Sequence, residues 1–192
     1  PYCFYFVPCY VTIPFRMKLL TLKFILVFIY LISSSSSYAI QEPNLKNLVI
    51  HKNPKKLEKI NFKNVNNKTI NLNSFENSLI IINFWATWCA PCIKEMPSLN
   101  RLKTNPIFNN LEIIPINVGK DNIAKTKDFY KKLKINDLKI YFDKDVELAK
   151  KFLLRGLPTT VFINKQGEEF ARVIGFVNFD DKNIIKWLKK HD

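Results

Sequence analysis

Two cysteines three positions apart, Cys89 and Cys92, lie in the stretch Phe84-Trp85-Ala86-Thr87-Trp88-Cys89-Ala90-Pro91-Cys92. An apolar run precedes the stretch and a segment of helical spacing follows it. The pair is therefore expected where a strand ends and a helix begins. A cysteine at a helix N-terminus meets unpaired N–H groups and the positive end of the helix dipole. Both favour thiolate over thiol, which predicts a reactive sulfur at Cys89. Residues i and i+3 share a helix face, so Cys92 falls within bonding distance of Cys89. Pro91 suits the first helical turn, where its missing N–H costs nothing. Thiol–disulfide exchange is the chemistry such a pair supports. A Cys-x-x-Cys also serves as half of a zinc site, but two more ligands are then needed. Beyond residue 39 the chain offers only His51, read as a linker residue, and His191, read as a solvated helix end. No metal site is expected.

The elements that must position this pair are legible from hydrophobic periodicity. Apolar and polar residues alternate from Ile60 to Leu72 on both sides of Asn66-Asn67-Lys68, which predicts a β-hairpin. Leu79 to Phe84 is near-continuously apolar, as in a strand covered on both faces. Ile93, Met96, Leu99 and Leu102 recur every three residues, an amphipathic helix interrupted by Pro97. Leu111 to Val118 is a second buried strand. Pro115 within it removes a ladder donor, so a bulge or an edge position is expected there. Asp121 or Asn122 caps a helix reaching about Ile135, with Ile123, Phe129 and Leu133 inward. Leu138–Phe142 is a short strand, and Asp145 caps a helix ending at Gly156. Strands Thr159–Ile163 and Glu168–Ile174 flank the turn Asn164–Gly167. A last helix turns Ile184, Trp187 and Leu188 to one side. This order argues an α/β fold, with a mainly parallel sheet, helices on both faces and a closing antiparallel hairpin.

The first methionine of the 192 residues is Met17. Residues 1–16 show no defensible period and are read as sequence upstream of the natural start. Residues 17–39 read as a signal peptide, with Lys18 and Lys23, the apolar run Phe24–Ile32, and small Ser37 and Ala39 before the cut. The rival is a retained membrane anchor, but the run is short of the roughly 20 residues a span requires. Residues 40–56 are read as a linker and 57–192 as one domain, which places the protein in the periplasm or outside the cell. The net charge of +14 invites a nucleic-acid reading. Arg16, Lys18 and Lys23 lie before residue 40 with no acid among them, so the remainder carries +11. That remainder is spread over helix faces and shows no basic stripe with stacking aromatics, so nucleic acid is not an expected partner.

Trp85-Ala-Thr-Trp-Cys-Ala-Pro-Cys resembles the active site of the thioredoxin superfamily, and more closely of its TlpA/ResA-like periplasmic thiol-disulfide oxidoreductases. Pro97, five residues after Cys92, matches the family's helix-kinking proline. Gly156-Leu157-Pro158-Thr159-Thr160 resembles the cis-proline loop, and the hairpin resembles the N-terminal extension of the TlpA-like branch. The resemblance covers about residues 57–190. It implies a thioredoxin-like fold, with a central mixed sheet flanked by helices. It implies that Pro158 locks a turn beside Cys89 and leaves the backbone of Leu157 free to pair with an extended substrate segment. Trp88 then shields the disulfide and helps to dock substrate, while Trp85 packs. Thioredoxins proper carry a buried Asp six residues before the first cysteine; here Asn83 stands there. The ResA-like branch places an acid three residues after the second cysteine, which is Glu95. Partly buried, Glu95 would exchange a proton with Cys92; the bland alternative is a surface glutamate paired with a neighbour.

The expected activity is reduction of disulfides in periplasmic proteins. By resemblance the substrates are haem-binding cysteines of apocytochrome c or copper-site cysteines in oxidase assembly. A membrane electron donor of the DsbD/CcdA type recharges the pair, the enzyme acts as a monomer, and no cofactor beyond the cysteines is needed. Two other readings are weaker: a copper- or haem-handling module on the same fold, and a peroxiredoxin-like peroxidase.

Overall fold

The computed structural model describes residues 43–192 together with Phe24 and Phe28. The segment 1–16 and the leader 17–39 otherwise lie outside the described residues. Among these residues the strands are β1 (Leu48–Lys56), β2 (Asn61–Asn64), β3 (Thr69–Asn71), β4 (Leu79–Trp85), β5 (Leu111–Val118), β6 (Tyr141–Asp143), β7 (Thr159–Ile163) and β8 (Glu168–Ile174). They form one sheet in the order β1-β8-β7-β4-β5-β6-β2-β3. The helices are α1 (Ala90–Lys103), α2 (Ile123–Lys132), α3 (Glu147–Lys151) and α4 (Lys182–Lys189). The sheet is mixed rather than mainly parallel. Only the β4–β5 and β5–β6 pairings are parallel, because two hairpins and β1 add antiparallel strands outside the βαβ core.

Strand β4 is central and wholly buried, which explains its unbroken apolar run. Alternate side chains point to opposite faces. Leu79, Ile81 and Trp85 join a core with Met96, Leu99 and Leu102 of α1, Tyr130 of α2 and Trp187 of α4. Ile80, Ile82 and Phe84 join a second core with Ile114, Leu148 of α3 and Phe152. Trp85 packs as expected, its ring 4.7 Å from that of Phe129 and 5.8 Å from that of Tyr130.

Several expectations need correction. Residues 48–56 are not linker but edge strand β1, paired antiparallel with β8. His51 is therefore half-buried, with Nε2 2.7 Å from Glu169 Oε1. Burial alone would raise the Glu169 carboxyl, but the Arg172 guanidinium and His51 hold it below its ordinary value. His191 is not simply solvated; its ring stacks on Phe170 at 4.1 Å. Ile93 faces outward, and the buried face of α1 runs through Cys92, Glu95, Met96 and Leu99. Pro97 sits inside α1 without ending it. The Ser98 hydroxyl donates to the Glu95 carbonyl at 2.8 Å, next to the place where proline disturbs the ladder. Pro115 needs no bulge: it pairs with Asn83 of β4, and β6 pairs with β5 only from Ile116 onward. Asn122, not Asp121, caps α2, accepting the Lys125 N–H at 2.8 Å. Asp145 caps nothing. The Asp143 carboxylate accepts from Leu148 and Ala149 N–H, at 3.1 and 2.8 Å, and α3 ends at Lys151, well short of Gly156.

Candidate active site

The chain leaves β4 at Trp85 and turns at once into α1. The Cys89 N–H donates to the Ala86 carbonyl at 3.1 Å, closing a four-residue turn with Thr87 and Trp88 at its centre. Cys89 is the N-cap of α1, and the Cys92 N–H donates to its sulfur at 3.3 Å. A sulfur so placed has a helix N–H and the dipole to stabilise its anion. Cys89 and Cys92 are joined, S–S 2.03 Å. Both are buried, while Trp88 beside them is 71% exposed. Pro91 lies in the first turn of α1, as expected.

One helical turn beyond Cys92 stands Glu95, fully buried. It is no surface glutamate. Asn83 Nδ2 donates to its Oε1 at 2.6 Å, and the Val177 N–H donates to its Oε2 at 2.9 Å. Burial pushes its carboxyl up, the two hydrogen bonds pull it down, and the balance lies at about 7. Such a group is half ionised near neutrality and can take or return a proton there. Asn83, buried on β4, gains a role that sequence reasoning left blank. Its amide bridges Glu95 and the Thr160 hydroxyl, the latter at 3.1 Å.

The Leu157–Pro158 bond is cis. Phe84 is paired with Thr159 across β4 and β7, so Pro158 stands at the end of the sheet from which the Cys89 turn departs. The Gly175 N–H donates to the Pro158 carbonyl at 2.8 Å. Among the described residues no backbone hydrogen bond engages Leu157. Pro97 lies further along α1, below the reacting atoms. Cys89, Cys92, Glu95, Trp88 and the Leu157–Pro158 loop thus share one end of the sheet.

A model of the AhpC/TSA family matches residues 54–168, a span holding both cysteines, Glu95 and Pro158. This chain belongs to the AhpC/TSA family. Its AhpC/TSA relatives include a thiol-disulfide oxidoreductase ResA of Bacillus thuringiensis subsp. konkukian, 34% identical over 125 residues, which cover 64% of this chain and 69% of that protein. A thiol:disulfide interchange protein of the thioredoxin family from Chlorobium tepidum superposes with a TM-score of 0.60 at 21% identity, over 72% of this chain and 99% of that one. A secreted thiol-disulfide isomerase from Corynebacterium glutamicum gives 0.61 at 21% identity, over 79% and 98%. The two structures establish the thioredoxin-like fold. The ResA relative places this AhpC/TSA member among the thiol-disulfide oxidoreductases. No described helix is long and apolar enough to cross a membrane.

Proposed function

We propose that this oxidoreductase reduces disulfides in exported proteins, with Cys89 as attacking sulfur, Cys92 as resolving sulfur and Glu95 as proton partner. The observation that carries the reading is the shared helix face. A disulfide at the N-terminus of α1 is followed, one turn on, by a buried carboxyl at about 7. In the reduced enzyme the Cys89 thiolate attacks one sulfur of a substrate disulfide. A mixed disulfide forms and the other substrate sulfur leaves as thiolate. Cys92 gives its proton to the Glu95 carboxylate and attacks Cys89. The Cys89–Cys92 bond forms, the mixed disulfide breaks, and the second substrate sulfur takes up a proton. The substrate has gained two electrons and the enzyme has lost them.

The cysteine pair is the only redox group this cycle requires. A donor dithiol must restore the reduced pair, and the membrane conduit of DsbD/CcdA type is the candidate. The substrate segment lies extended against Leu157 with Trp88 beside it. Haem-binding cysteines of apocytochrome c, or copper-site cysteines in oxidase assembly, are the proposed targets in the periplasm or at the cell exterior, met by the enzyme as a monomer. The reading of residues 17–39 as a signal peptide supports export. The copper-handling alternative is disfavoured by Met96, the one methionine beyond residue 39, because it is buried in the core.

A Cys92→Ala variant tests the cycle. It is expected to stall as a mixed disulfide on Cys89 that accumulates with exported Cys-containing proteins, while the parent chain turns over insulin disulfides. No trapped adduct, together with no insulin reduction by the parent, would overturn the reading.

A further inference from the structure

The turn that presents Cys89 is fastened from the side opposite Glu95. In the turn Ala86–Cys89 the Thr87 N–H is not used by the turn's own hydrogen bond. It donates instead to Asp121 Oδ2 at 3.0 Å. Asp121 follows β5, across the parallel pairing from β4. Trp85 is paired with Asn117, and Asn117 Nδ2 donates to the same Oδ2 at 3.1 Å. The other oxygen accepts from Lys125 Nζ at 2.7 Å, one turn into α2. Asn117 is fully buried and Asp121 nearly so. The carboxylate is thus held from below by Asn117 and along the helix by Lys125. The buried Asn117 amide is the firmer of the two holds, since the Lys125 side chain is half exposed. Since Asn122 caps α2, Asp121 is not needed for that task. Burial would raise its carboxyl, but Lys125, the Thr87 N–H and Asn117 together hold it at about 2, so it is charged at any working pH.

We propose that Asp121 is a positioning residue for the exchange reaction: its carboxylate fixes the Ala86–Cys89 turn through the Thr87 N–H and so sets where the Cys89 sulfur stands for attack. Two residues separate Thr87 from Cys89, and the same turn holds Trp88 outward. A hydrogen bond to an ionised acceptor is stronger than a neutral one. Attack on a disulfide requires sulfur in line with the bond it breaks, and small misplacements of a reacting atom cost large factors in rate. A freed turn therefore keeps Cys89 chemically competent but spends less of its time in attacking geometry.

The inference rests on Cys89 being the attacking sulfur, and the experiment separates the two claims. The probe is oxidised glutathione, too small to depend on the docking surface. Its second-order rate constant with the reduced full chain is measured across pH, up to the plateau where Cys89 is fully thiolate. The thermal transition of each variant is recorded in parallel. Asp121→Asn keeps an oxygen for Thr87 and removes the charge. Asp121→Glu keeps the charge and moves the oxygen by a methylene. Asp121→Ala removes both. The plateau is expected to fall about tenfold in D121A and D121E and to stay within threefold of the parent in D121N, at temperatures where every variant is folded. If D121A fails to fold, D121E and D121N decide. A D121E plateau within twofold of the parent, or a D121N plateau as low as that of D121E, would overturn the positioning role. A parent chain unreactive at Cys89 overturns the attacking-sulfur reading instead, and this inference with it.

Discussion

Two carboxylates flank the same cysteine turn in opposite states. Glu95, on α1, is buried with two hydrogen-bond donors and no cation, and its carboxyl sits at about 7. Asp121, on the loop after β5, is also buried, but Lys125 pairs with it at 2.7 Å, and it sits at about 2. The difference lies in depth as well as in neighbours: Glu95 is fully enclosed, whereas Asp121 lies close to the surface beside an ammonium. Two neutral donors do not repay the desolvation of a charge, whereas two donors and an ammonium do. Environments that drive two acids apart in this way divide the labour between them. Glu95 is free to change protonation during turnover. Asp121 is locked as an anion and serves geometry.

The largest expected effect lies on the Glu95 side. Glu95→Gln still fits the site, because its amide can pair with the Asn83 amide and accept the Val177 N–H. It cannot take the Cys92 proton. The resolving step is expected to slow by about a hundredfold at pH 7, the lower end of what a positioned acid or base contributes. Single-turnover release of substrate from the mixed disulfide reads this. An unchanged rate with an unchanged pH profile would make the two carboxylates equivalent and break the comparison.

Stability against pH separates them next. The folded Glu95 carboxyl lies above its ordinary 4.5, so the fold holds this proton more tightly than the unfolded chain does. Its contribution is complete below about 4.5 and is lost as pH rises through about 7, a loss on the order of 3 kcal/mol. Asp121 works the other way: its contribution is present above 3.8 and is lost as pH falls towards 2. Between pH 5 and pH 8 the urea midpoint of the oxidised parent should therefore fall relative to that of Glu95→Gln; the opposing contribution of His191, whose imidazole burial holds below its ordinary value, is common to both. Below pH 4 both proteins should weaken alike, through Asp121 together with Glu169, Asp180 and Asp192, whose carboxyls are also held low by their partners. A parent curve parallel to that of Glu95→Gln from pH 5 to 8 would mean that Glu95 is not held protonated by the fold.

A smaller effect sharpens the role of Asn83. Asn83→Ala removes the 2.6 Å donor to Oε1 and leaves burial unopposed there. The Glu95 carboxyl should rise further, and the acid limb of the exchange profile, where Glu95 must ionise to take the Cys92 proton, should move to higher pH. A limb that stays in place, or moves to lower pH, would show that Val177 alone sets this carboxyl.

Much of this was legible in the chain. The strand–turn–helix around Cys89 and Cys92 declares itself because the apolar run, the first-turn proline and the i, i+3 spacing all agree. Glu95 was reachable through the resemblance, which places an acid three residues after the second cysteine. Asp121 was read only as a possible cap, because the donor that matters, Thr87, lies 34 residues away in the turn after β4. Strand β1 was missed for a related reason. It is an edge strand with lysines at its far end, its register shifts between Ile50 and Lys55, and its side chains are mostly exposed. No clean alternation survives there. What holds it is long-range pairing with β8 and the His51–Glu169–Arg172 cluster, which no local window contains. Asp143 escaped likewise: its carboxylate caps α3 from five and six residues back, beyond the usual capping offset.

The reduction potential of the Cys89–Cys92 pair, set by equilibration with thioredoxin or dithiothreitol at pH 7, tests the central claim most directly. A disulfide reductant working in an oxidising compartment predicts a value near that of thioredoxin, about −270 mV. A value near about −120 mV would make the pair a strong oxidant and contradict the account.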